Sequence, residues 1–144
     1  MSIENNTAFS EVMGRRWNLT EVINRSASIN IDRANAPTDI FTIKFESAHL
    51  IGSGAVNFYS ASYVARNNHA LSIIRFARIH SDTLYEMENF TEREYFRHLQ
   101  RVNRWDVRSG KLELHTCDEY GARVVLVFSQ KDSFTTVFPA PARL

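Results

Sequence analysis

The sequence predicts an α+β fold, mostly antiparallel β, in which a curled sheet or partial barrel receives one amphipathic helix over residues 91–103. Three observations carry that expectation. Apolar residues recur at every second position along most of the chain, the pattern of half-buried strands. The period changes to that of a helix once, after residue 80. The chain has 144 residues, of which 44% are hydrophobic and 23% charged, enough for a single packed core.

Taken in order, residues 1–13 read as a polar, flexible N-terminal segment with one helical turn over 10–13. Residues 14–138 read as one domain and 139–144 as a tail. Trp17, Leu19 and Val22 mark the first strand, and residues 24–39 read as a loop ended by Pro37. Phe41, Ile43 and Phe45 alternate with Thr42, Lys44 and Glu46, which predicts a strand with one buried face. Residues 49–64 are apolar and aromatic but interrupted by Gly52 and Gly54, so one or two strands with a bulge or tight bend are expected. Asn67-Asn68 turns the chain into a further strand over 71–79.

Thr91-Glu-Arg-Glu94 has the spacing of a capping box, in which the threonine hydroxyl and the glutamate carboxylate each satisfy a backbone N–H of the other residue. Phe90 and Tyr95 stand where a hydrophobic staple needs them, and Tyr95, Phe96, Leu99 and Val102 follow at helical spacing. A shorter helical turn is expected over 82–88. Ser109-Gly110 then turns the chain into Leu112 and Leu114, and residues 118–121 turn it into the apolar run 123–128 of a central strand. Residues 134–138 read as an edge strand before Pro139 and Pro141.

Composition removes several classes of function. A formal net charge of +1 gives no broad electrostatic footprint for nucleic acid. One cysteine, Cys117, excludes an internal disulfide and any CxxC zinc or redox site. No apolar run approaches the ~18 residues that a membrane span requires. The first residues carry neither a basic nor an apolar signal region, so a cytoplasmic chain is expected unless a signal was removed.

Several motifs together resemble the META/HslJ family over residues 14–128. Gly14-Arg-Arg-Trp17-Asn-Leu19 matches the family's opening Gly-x-x-Trp-x-Leu. Gly52-Ser-Gly-Ala-Val-Asn57 with Tyr63 keeps the Asn, the Tyr and their six-residue spacing from its central Gly-x-x-Gly-Cys-Asn segment. Glu92, Phe96, Leu99, Val102 and Trp105 follow in the family's order, and the last hairpin completes the pattern. Val56 stands where many members carry a cysteine, the family's second cysteine, near Ser81, is absent, and the lipoprotein cysteine of many members is missing here. The resemblance implies a compact sheet wrapped around a helix, no established catalytic activity, and links to stress response, secretion or the cell envelope.

The candidate ligand- or partner-binding residues are Asn57, Phe58, Tyr59 and Tyr63. Asn57 would anchor a polar group in a groove formed with Phe58, Tyr59 and Ser60. Equally, Asn57 would satisfy backbone groups at a bend while Tyr63 caps the core through its hydroxyl. Arg93, Arg97 and Arg101, spaced by four, would form a basic face, extended by Arg104 and Arg108 if the helix continued. Against that, they would be a solvated outer face, with Glu94 pairing to Arg97.

Other motifs point away from chemistry. Gly52-Ser-Gly54 lacks the following Lys-Ser/Thr and helix of a phosphate loop. His80-Ser-Asp82 is contiguous, whereas a catalytic triad converges from separate segments. Glu94 and His98 share a helix face but have no third metal ligand nearby. Cys117 stands beside Asp118 and Glu119, the reverse of the electropositive setting that activates a thiolate. The sequence therefore predicts a binding module that is not an enzyme and holds neither cofactor nor metal. Its expected partner is a protein or peptide; the alternative is a small apolar ligand carried in a barrel-like cavity.

Overall fold

The computed structural model describes residues 8–25, 27–31, 40–79 and 90–130. Nine strands form one antiparallel sheet: β1 (Arg16–Asn24), β2 (Ala27–Asn30), β3 (Thr42–Phe45), β4 (His49–Ser53), β5 (Phe58–Ala65), β6 (Leu71–Ile79), β7 (Arg104–Arg108), β8 (Lys111–Cys117) and β9 (Arg123–Gln130). The helix α1 (Glu92–Leu99) stands between β6 and β7 in the chain. Strand order across the sheet is β6-β5-β4-β3-β1-β9-β8-β7, with β2 paired to β1.

The sheet curls until its two ends touch at one point. Ala70 bridges Arg104, and the Leu71 N–H donates to the Asn103 carbonyl at 3.1 Å. Because that bridge is antiparallel, β6 and β7 lead away from it in opposite directions. Beside the rest of β6, the chain that precedes β7 is α1. The helix therefore stands where another strand would close the barrel, and the result is a half-barrel with a helix at its mouth.

Alternation places one face of most strands inside. Ile43, Phe45, Leu50, Leu112 and Leu114 are all fully buried, as the period of two requires. Two bulges correct the alternation where the curl demands it. In β1 the register shifts between Leu19 and Glu21, so Leu19 and Val22 both point inward despite their odd spacing. In β6 two residues, Arg75 and Phe76, stand opposite one of β5, Ala61, and Arg75 takes φ +53°. After that bulge Phe76 stacks on Tyr59, with ring centroids 5.4 Å apart. At the β7–β8 hairpin, Ser109 and Gly110 both have positive φ, the pair of dihedrals that suits the strand twist.

Three expectations need correction, and the open question of whether the arginine stripe continues past the helix is decided. The helix ends at Leu99, not 103, because Asn103 is already bonded into the sheet: its N–H donates to the His115 carbonyl at 3.0 Å. Residues 104–108 are β7, so Arg104 and Arg108 leave the helical stripe. The loop assigned to 24–39 contains β2, a short polar strand whose alternation is too brief to read. Part of the segment assigned to a flexible N-terminus is packed. Val12 is fully buried, its carbonyl accepts from the Trp17 indole at 3.0 Å, and Phe9 meets Phe45, Tyr63 and Trp105 edge-on or tilted. The turn expected over 82–88 and the strand over 134–138 lie outside the described residues.

Gly52 faces the core opposite Tyr59 in the β4–β5 register. A methyl group on it would fall 2.0 Å from the Thr42 carbonyl oxygen and 2.6 Å from the Tyr59 hydroxyl. We expect Gly52→Ala to cost about 2–3 kcal/mol of stability through this overpacking. Urea unfolding would measure it, and a loss below about 0.5 kcal/mol would mean that the Tyr59 ring moves aside freely.

Candidate functional site

The mouth of the half-barrel is set by how α1 is anchored. Its N-terminus carries the full capping box: the Thr91 hydroxyl accepts from the Glu94 N–H at 3.1 Å, and the Glu94 carboxylate accepts from the Thr91 N–H at 2.9 Å. Phe90 and Tyr95 complete the staple, both buried, with centroids 6.5 Å apart. Tyr95 then reaches across the core. Its hydroxyl lies 2.8 Å from that of Tyr59, and both approach the Thr42 carbonyl, at 3.2 Å and 2.6 Å. Burial pushes the Tyr59 phenol well above its ordinary range, helped by Tyr95 beside it. Together the two hydroxyls bind helix, β3 and β5.

A second tie is ionic. One Glu92 carboxylate oxygen accepts from the Val56 and Asn57 N–H groups, and the other from the Asn57 side-chain amide, all at 2.7 Å. Gly54 permits this approach, since a Cβ there would meet Glu92 Oε1 at 2.5 Å and Phe96 at 2.9 Å. The first turn of α1 thus holds the β4–β5 loop, and Glu92 spends both oxygens doing so.

Between β6 and α1 lies a groove of about 780 Å³. Val56, Phe76 and Phe96 supply apolar surface; Arg78, Arg93 and Arg97 supply charge. Phe76 and Phe96 touch at 4.9 Å, so the strand edge and the helix share one floor. Among the described residues β6 pairs only with β5 beyond the bridge at residue 70. No described strand therefore pairs with the groove-side backbone of residues 76–79. On the convex face, Ile51, Phe58 and Ile79 line a second groove of about 660 Å³ and are 44%, 55% and 50% exposed.

The four residues singled out in the central segment do not converge. Asn57 is held by Glu92 in the loop. Phe58 points to the convex face and Tyr59 to the core, one residue apart on β5. Tyr63 is buried about 20 Å from Asn57 along the strand. Its hydroxyl donates to the Glu46 carbonyl. Of the basic residues, Arg93 and Arg97 line the groove, whereas Arg101 does not. Arg97 pairs with Glu119 at 3.5 Å rather than with Glu94, which the cap occupies. Sequence reasoning missed Phe76 and Arg78 as groove residues, because the bulge at Arg75 hides which of them face inward.

Among the described residues no group of His, Cys, Asp and Glu is placed to hold a metal ion. Glu94 is engaged in the cap, and His98, 8% exposed, lies parallel to Phe90 with centroids 6.1 Å apart. Burial lowers the His98 pKa, and a hydrogen bond to the Cys117 carbonyl opposes that shift.

The META domain family model matches residues 10–133, so the chain belongs to that family. An NMR structure of a protein from Burkholderia xenovorans superposes with a TM-score of 0.62 at 17% identity, covering 86% of each chain. A crystal structure of a DUF4847 family protein from Bacteroides vulgatus gives 0.58 at 15% identity, covering 86% of this chain and 99% of that one. At such identities these likenesses show the fold. No curated protein matches the chain.

Two outcomes follow from the anchoring of α1. Glu92→Ala leaves three N–H donors of the loop without their acceptor and should cost about 2–3 kcal/mol, with Glu92→Gln losing less. Amide hydrogen exchange at Val56 and Asn57 would report it, and unchanged protection would refute the tie. The lowered His98 pKa also makes stability pH-dependent. Above the ordinary value of 6.5 both states are neutral and the contribution is complete. It is lost as the pH falls through the lower folded value, because the unfolded chain binds the proton first. His98→Gln should therefore lose less stability than the natural chain between about pH 7.5 and about pH 5.5. Parallel slopes would overturn the assignment.

Proposed function

We propose that this META domain protein is a non-enzymatic binding module that captures an extended segment of a partner protein by strand addition to β6. The observation that carries this reading is the open edge of residues 76–79 beside the groove. Backbone N–H and C=O groups on such an edge supply affinity, and the groove supplies places for side chains. An added strand would satisfy the edge and fill the gap that α1 leaves at the mouth.

The non-enzymatic part is supported by the company the histidine rings keep. His49 lies against the Ser47 carbonyl, His69 against the Trp105 carbonyl and His115 against the Glu113 carboxylate. Among the described residues none of these three rings has a serine, threonine or cysteine side chain as its hydrogen-bond partner. A carrier of a small apolar ligand is the second reading, favoured by the convex groove with Ile51, Phe58 and Ile79. The barrel interior offers that ligand less, because Tyr59, Tyr95, Phe41, Phe45, Phe90 and Phe128 fill it.

Selection from a displayed library of extended peptides, followed by NMR titration of the labelled chain, tests strand addition. Bound peptides should shift the amides of residues 76–79 and slow their hydrogen exchange. Methylating alternate peptide nitrogens should weaken binding at least about tenfold, since each lost backbone hydrogen bond costs about 1 kcal/mol. Shifts confined to Ile51 and Phe58, with no change along β6, would move the function to the convex groove.

A further inference from the structure

We infer that the segment received by β6 is acidic: its carboxylates face α1, and apolar side chains occupy the alternate positions on the convex side. This rests on strand addition at β6 and adds the chemistry of the partner. In a strand paired to residues 76–79, successive side chains point to opposite faces. Those on the inner face stand beside Phe76 and Arg78 and look across the groove at Arg93 and Arg97. Those on the outer face stand beside Ala77 and Ile79, next to Phe58, which pairs with Ile79 in the β5–β6 register.

Among the described residues the inner face offers three guanidinium groups and one carboxylate. That carboxylate, on Glu92, already accepts three hydrogen bonds from the β4–β5 loop. Among the described residues Arg78 and Arg93 carry no ion pair, and Arg97 has only the exposed Glu119 at 3.5 Å. Among the described residues an incoming carboxylate therefore meets two arginines without an ion pair and a third with only an exposed one, and fork geometry favours its pairing with arginine. A second copy of the chain fits poorly. Pairing two β6 edges would set the arginines of one mouth against those of the other.

The test uses the full chain and capped, dye-labelled peptides, read by fluorescence anisotropy. One peptide alternates valine with glutamate, a second replaces each glutamate by lysine, and a third is the first with methylated backbone nitrogens. The glutamate peptide should bind at least about tenfold tighter than the lysine peptide, a difference that shrinks with salt. Arg78→Glu should narrow or reverse the preference, and Arg93→Glu should do the same from the helix side. Circular dichroism confirms that each variant is folded.

Equal binding of the two charged peptides, with the methylated one failing, overturns the acidic partner and leaves strand addition standing. Failure of every peptide overturns strand addition and this inference with it. A single-stranded oligonucleotide that outcompetes the glutamate peptide would reassign the arginines to phosphate. A dimer in solution that Arg78→Glu strengthens would make a second copy the occupant.

Discussion

The bridge between Ala70 and Arg104 determines most of what is distinctive about this molecule. An antiparallel sheet of nine strands has enough curvature to close on itself, and closure would remove both edges. Here the two end strands meet at one point and then diverge. The segment that would extend the contact along β6 is α1, whose backbone bonds are internal and cannot satisfy a strand. A helix at that place covers the core but leaves the strand edge beside it open. Core and candidate site are thus two consequences of one incomplete closure.

Such an arrangement is stable only if α1 is held firmly, because eight helical residues contribute little on their own. Two ties do this at different depths. The deep one is the Tyr59–Tyr95 pair on the Thr42 carbonyl, which needs Gly52 to vacate the space that the ring ends occupy. The shallow one is Glu92 on the loop amides, which needs Gly54. Both glycines serve close approach rather than a left-handed backbone, since neither has a positive φ. The Glu92 tie also alters the electrostatics of the groove. By placing its carboxylate against the loop, it leaves the arginines of the mouth with little local neutralisation.

Much of the architecture was legible because it rests on local rules. The alternation in residues 41–46 and 111–115 put Ile43, Phe45, Leu112 and Leu114 inside, where the structure has them. The capping box and staple set the start of α1 correctly. Its end was misjudged because Val102 keeps helical spacing while Asn103 is recruited by β8, a contact from a distant part of the chain. The site was harder to read. Asn57 and Tyr63 stood out as a pair in the family segment, yet six residues along a strand place them at opposite ends of it. Phe76 and Arg78 form the groove only because the bulge at Arg75 turns them inward, and a bulge depends on strand pairing that local pattern does not encode.

An open strand edge ordinarily invites self-association, and this one carries two of the devices that suppress it. The bulge at Arg75 bends the strand, leaving residues 76–79 as a short regular stretch. The arginines beside that stretch repel an identical edge. Neither device blocks a short segment of opposite charge, which needs only a few residues of register and gains from the same cations. One set of side chains would therefore disfavour copies of the chain and favour the acidic partner proposed above. The two effects share a physical origin: removing Arg78 and Arg93 would loosen the first as it weakens the second.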